Sequence, residues 1–211
     1  MKLRTLVLAG ALAATGLATA GAALTAEAPR VGPATYTADG KLILPADYRT
    51  WVYLTSGLDM SYAEGAAPAN SAFDNVFVDR EAYAAFQKTG AWPEGTVMAL
   101  EIRAAGGQAS INKAGKFQTG AVRASEFHVK DSARFKGDGW AFFGFRGDNL
   151  PQARIAADSP AGCHACHDAH AAVDTTFVQF YPTLLPKAEA MKTLSAAYLA
   201  EEKAAATKPH P

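Results

Sequence analysis

Charge of either sign is in no excess here: 20 Lys and Arg offset 20 Asp and Glu over 211 residues. Nothing in that balance points to a nucleic acid or to a strongly acidic or basic partner. Internal repeats are absent, so a repeat architecture is excluded. Cysteine is scarce: the only two are Cys163 and Cys166, so thiol chemistry is confined to one short segment. That segment, "SPAGCHACHDAHAAVD", has no bulky apolar residue but holds three of the five histidines. Apolar residues make up 49% of the chain, enough for a packed core, and the length suits one domain with appendages.

The first residues, "MKLRTLVLAGALAATGLATAGAALTAEAPR", join Lys2 and Arg4 to an apolar run and then to small residues. This is the pattern of a secretory signal, with cleavage after Ala20 or Ala22. A retained membrane anchor is the rival reading, because Thr5 to Ala26 is long enough to span, but that run is mostly Ala, Gly and Thr. The chain therefore divides into a signal peptide at 1–22, a linker at 23–37, a globular domain at 38–186 and an Ala/Lys/Glu-rich tail at 187–211. Export places the mature protein in the periplasm. In the tail, Leu194, Tyr198 and Leu199 recur at helical spacing, which predicts a peripheral helix.

Within the domain the apolar pattern alternates as in a sheet. Thr96, Met98, Leu100 and Ile102 share one strand face, and Val122, Ala124, Glu126 and His128 share another. "GWAFFGF" suits a buried strand. "NVFVD" reads as a strand leading into a helix capped by Asp79 and ended by Gly90. Glycine-rich links such as "FKGDG" fit hairpins. With one helix near Asp47–Trp51 and another around the cysteines, the fold class is α+β on a mainly antiparallel sheet.

Cys163, Cys166 and His167 have the Cys-x-x-Cys-His spacing of c-type haem attachment. Two thiols form thioethers with the haem vinyl groups, and the adjacent histidine turns its imidazole to the iron. A thiol–disulfide motif has the same cysteine spacing, but it belongs early in a βαβ unit. Zinc on Cys163, Cys166, His167 and His170 would need one short segment to supply all four ligands of a closed site. Haem is the reading that uses the segment as it stands: one covalently held haem c, with His167 as the metal ligand. The small electron-transfer cytochromes place a methionine ligand downstream, yet the only methionine after His167 is Met191, in the tail.

Four blocks, "LILPADYRTWVYL", "FDNVFVDREAYAAFQKTGAWPEGT", "HVKDSARFKGDGWAFFGF" and "CHACHDAHAAVDTTFVQFYPTL", resemble the cytochrome P460 family from about Lys41 to Leu184. The resemblance implies an exported monohaem protein, commonly a homodimer. It also implies five-coordinate iron, with His167 proximal and the other side open. The family includes hydroxylamine-oxidising members and cytochromes c-prime-beta, which bind nitric oxide and carbon monoxide; a partner cytochrome would exchange electrons with the oxidising type. Oxidising members cross-link a strand lysine to the haem, and the matching position here is Leu100. Glu126 matches their distal carboxylate, a proton acceptor and so the candidate catalytic base. Phe73 is a candidate cap over a bound ligand. His128 shares the Glu126 face and reads as a core or solvated histidine ahead of the alternative, an iron ligand, while His164 and His170 are expected to point to solvent. The leading expectation is a binder of nitric oxide or related nitrogen species; the alternatives are a hydroxylamine oxidoreductase and a plain electron carrier.

Overall fold

The computed structural model describes residues 32–60, 70–147, 149–156 and 162–207. The signal peptide and most of the linker lie outside them. Among the described residues no helix is long and apolar enough to cross a membrane.

A two-stranded hairpin, β1 (Thr35–Tyr36) and β2 (Leu42–Ile43), precedes a single 3-10 turn at Tyr48–Thr50, which is all that forms of the helix expected near Asp47–Trp51. Then come β3 (Val52–Leu58), β4 (Ala72–Val78), helix α1 (Arg80–Thr89), β5 (Val97–Gly106), β6 (Phe117–Lys130) and β7 (Trp140–Phe145). These five strands form one antiparallel sheet in the order β3-β4-β5-β6-β7, so every strand pairs with its sequence neighbour. Helix α1 starts where the Asp79 carboxylate accepts from the Ala82 N–H at 2.9 Å, and stops at Gly90 in the left-handed region, φ 71°. Such a cap stabilises by about 1 kcal/mol. Helices α2 (Cys163–His170), α3 (Leu185–Met191) and α4 (Ala196–Ala206) complete the order.

The strand register divides the sheet into two faces. One carries Tyr53, Phe77, Ala99, Phe127 and Phe143 in a single cross-strand row; Tyr53 stays exposed at its edge, and Tyr48, Trp51 and the first hairpin close the rest into an aromatic core. On the other face a row runs Val78, Met98, His128, Phe142; the next runs Thr55, Val76, Leu100, Glu126, Gly144; the third runs Gly57, Asp74, Ile102, Ala124. Rows on one face are separated by ~6.7 Å along the strands. Helix α1 and the segment from α2 to α4 cover the first row, burying Phe86, Trp92, Trp140, Val173, Val178, Tyr181 and Leu184.

The tail is more integrated than its composition suggests. Leu194 and Tyr198 pack on the covered core. Ser195 donates its hydroxyl to Ala171 O at 2.7 Å, and its N–H to Ala172 O at 2.7 Å. The compact unit therefore continues past residue 186, because these contacts tie α4 to the end of α2.

Candidate haem site

Helix α2 presents Cys163 and Cys166 three residues apart, hence on neighbouring positions of one face, with His167 next in line. Neither cysteine is in a disulfide. Burial pushes both thiols above their ordinary range, helped by the Glu126 carboxylate for Cys163 and the Glu201 carboxylate for Cys166. A dithiol exchange motif needs the opposite, a stabilised thiolate. The histidines do not gather as zinc ligands either: His164 Nε2 lies 3.0 Å from the Asp138 carboxylate, and His170 Nδ1 meets the Glu201 carboxylate. Both keep part of their surface in solvent, His164 at 30% and His170 at 40%, while each meets its own carboxylate. Among the described residues no three His, Cys, Asp or Glu side chains converge as a metal cluster.

His167 behaves differently. Its Nδ1 sits 2.7 Å from the Thr175 carbonyl, so the ring carries its proton there and donates, which leaves Nε2 as the lone-pair nitrogen. Its ring packs against Phe177 at 4.3 Å, Phe142 at 4.7 Å and His128 at 5.2 Å between centroids. Burial holds His167 below the ordinary histidine range, favouring the neutral ring that can bind a metal. His128 is buried, stacked on Phe142 at 4.0 Å, and held well below the ordinary range by burial and by His167. Its Nε2 has no hydrogen-bond partner among the described residues. Because it packs on the His167 ring, His128 stands on the same side of the cavity as that ring.

These rings form one end of a cavity of about 210 Å³ that opens to solvent. The wall is the exposed sheet face with Thr176, Phe177, Phe180 and Tyr181 opposite. Leu100 and Glu126 lie in the second row, paired directly across β5 and β6. Glu126 lines the cavity while its side chain stays 36% exposed, with Arg146 at 3.7 Å. Asp74 reaches the cavity from the third row, a placement the sequence reading missed. Burial, together with the Asp59 and Glu126 carboxylates, raises its pKa to about 6. The cavity thus has an imidazole end and a carboxylate end.

Phe73 is corrected by its strand parity. Asp74 and Val76 face the cavity, so the intervening alternation sends Phe73 to the other side, and it is not part of the wall. The aromatic rings that do line it are Phe142, Phe177, Phe180 and Tyr181. No lysine is among the described residues of the wall, whereas Met60 and Met98 are. Met98 shares a row with His128, while Met60 packs on Gly57 at the carboxylate end. Met191, by contrast, is 45% exposed and packs at Gly90.

The residues fit a covalently held haem on three counts: paired thiols on one helix face, an imidazole with only Nε2 left to bind, and a largely apolar cavity beside it. A family model for cytochrome P460 matches residues 45–178. The chain belongs to the cytochrome P460 family. The match ends between the motif helix and Phe180, so it takes in the sheet, the Cys-x-x-Cys-His segment and the Val173–Thr176 turn. A comparison with curated proteins finds no match. Membership makes this a haem cytochrome, and the antiparallel α+β architecture agrees with a cytochrome P460 fold.

Proposed function

We propose that this protein is an exported, periplasmic monohaem cytochrome whose iron, bound by His167, keeps an open position for nitric oxide or a related small nitrogen species. Cys163 and Cys166 would hold one haem c, which supplies an iron able to bind a diatomic ligand. The observation that carries the reading is the asymmetry of the cavity: His167 offers one nitrogen at one end, and Leu100 with Val76 presents hydrocarbon further along. Hydrocarbon beside the open position excludes water and favours neutral ligands over charged ones. Leucine at the cross-linking position, with no wall lysine among the described residues, supports this branch over hydroxylamine oxidation and predicts an ordinary c-type spectrum.

The test is the optical spectrum of haem-matured protein with and without nitric oxide. The expected result is a high-spin resting ferric form, pigment retained after acid acetone, and a spectral change when nitric oxide meets the reduced protein. A lysine-bearing haem peptide, or brisk hydroxylamine turnover, would move the protein to the oxidising branch. Free haem in the acetone would refute covalent attachment.

A further inference from the structure

The segment that follows helix α2 is a tight turn whose ends pair with each other: Thr176 N–H to Val173 O at 2.8 Å and Val173 N–H to Thr176 O at 3.2 Å. Its central residues, Asp174 and Thr175, both have positive φ, 50° and 56°. That sign pattern belongs to hairpin turns that prefer Asn-Gly. Asp tolerates the left-handed region, but a β-branched residue there is a genuine outlier. Thr175 also buries a hydroxyl with no partner among the described residues. Strain of this kind persists only where the surroundings impose it.

Two side chains from elsewhere impose it. The Trp92 indole N–H donates to the Thr176 hydroxyl at 2.7 Å, and that hydroxyl donates to Val173 O at 2.6 Å. The Lys130 ammonium, 14% exposed at the end of β6, pairs with the Asp174 carboxylate and donates to Trp92 O at 3.0 Å. It also lies 5.6 Å from the centroid of the Trp140 ring. What the strained turn delivers is one carbonyl, Thr175 O, placed 2.7 Å from His167 Nδ1.

We propose that Lys130, through Asp174 and Trp92, is a positioning residue that clamps this turn and thereby sets the strength of the His167 Nδ1–H···O=C bond. The inference rests on His167 being the axial ligand. A hydrogen bond at Nδ1 fixes the tautomer and raises the basicity of the other nitrogen. Loosening the turn lets Thr175 O withdraw, so the axial bond weakens.

The experiment is resonance Raman spectroscopy of the ferrous holoprotein, reading the iron–histidine stretch. Lys130→Met should shift it to lower frequency, and Lys130→Arg should recover part of the shift. Asp174→Asn/Thr175→Gly installs residues that favour the turn unaided; in that background Lys130→Met should leave the stretch unmoved. Should Lys130→Met fail to fold alone, the proposal requires it to fold in the Asp174→Asn/Thr175→Gly background. No shift on Lys130→Met, equal shifts in both backgrounds, or failure to fold in both would overturn the clamp. Absence of an iron–histidine band from the native protein would instead overturn the assignment of His167.

Discussion

Glu101 and Glu126 lie two strands' width of sequence apart on a directly hydrogen-bonded strand pair, yet they face opposite sides of the sheet and live under opposite rules. On the aromatic side Glu101 is 2% exposed and fully partnered: Tyr48 Oη at 2.5 Å, Arg49 Nε at 2.6 Å and Arg103 Nε at 2.8 Å. Burial alone would raise its pKa, but the Tyr48, Arg103 and Arg49 hydrogen bonds outweigh that and hold it down. On the cavity side Glu126 has one exposed arginine at 3.7 Å, Asp74 is pushed toward protonation, and His128 keeps a buried nitrogen with no partner among the described residues. Around Glu101 the chain itself supplies every partner. The cavity face presents polar groups and hydrocarbon that the chain leaves for something else to meet, which is how a binding wall differs from a core.

The sharpest way to break that contrast is Glu101→Ala. It removes the acceptor shared by Tyr48, Arg49 and Arg103. Arg49 is half exposed and Arg103 keeps the Thr119 and Gly120 carbonyls, so the main cost is the buried Tyr48 hydroxyl left without a partner, about 1–3 kcal/mol. Denaturant unfolding should show the midpoint fall with no change in haem spectrum. A smaller effect of opposite sign is expected at Asp74. Its folded pKa of about 6 exceeds the ordinary value of 3.8, so the folded form holds the proton more tightly. Stability from this group is present in full below about pH 4 and is lost as pH rises to about 6. Asp74→Asn should therefore raise the melting temperature at pH 7 and leave it unchanged at pH 3.5. Equal gains at both values would dissociate the effect from its ionisation.

Glu126→Gln should change stability by no more than ~0.5 kcal/mol, because its ion pair is exposed. It should leave nitric oxide affinity nearly intact while slowing any proton-removing reaction by ~10²–10⁴-fold. A large stability loss would make Glu126 a structural charge like Glu101. The smallest expected effect is at Met60, the wall methionine at the carboxylate end: Met60→Ala should leave the resting ferric haem high-spin. A native protein that is low-spin, and that becomes high-spin on this change, would favour the electron carrier.

Much of this was legible from the chain. The alternation in β5 and β6 put Leu100 and Glu126 on definite faces, and the Asp79 and Gly90 signals bounded α1, because caps and parity are local properties. Strand β3 escaped notice: a register shift between Tyr53 and Thr55 breaks its period of two. Asp74 and Phe73 failed for another reason. Parity says that neighbours point apart, but which of them meets the cavity depends on strand pairing that no single segment encodes. The strained turn after the motif was hidden as well, since Asp-Thr is not the sequence that such a turn prefers, and its support comes from Trp92 and Lys130, far away in the chain.

The neighbour-to-neighbour order of the sheet favours early closure of the sheet over closure of the wall beyond it. Pairing only adjacent strands keeps the loops to be closed short, and short closures are the fast ones. The wall that carries His167 and Phe177 comes from residues beyond β7, and α4 packs on it from further still. The five strands can thus form as an open tray with Leu100 and Glu126 already in register, while the opposing wall is still free chain. A flat cofactor tethered at Cys163 and Cys166 would then be carried onto the tray as that last segment closes, rather than having to thread a finished pocket.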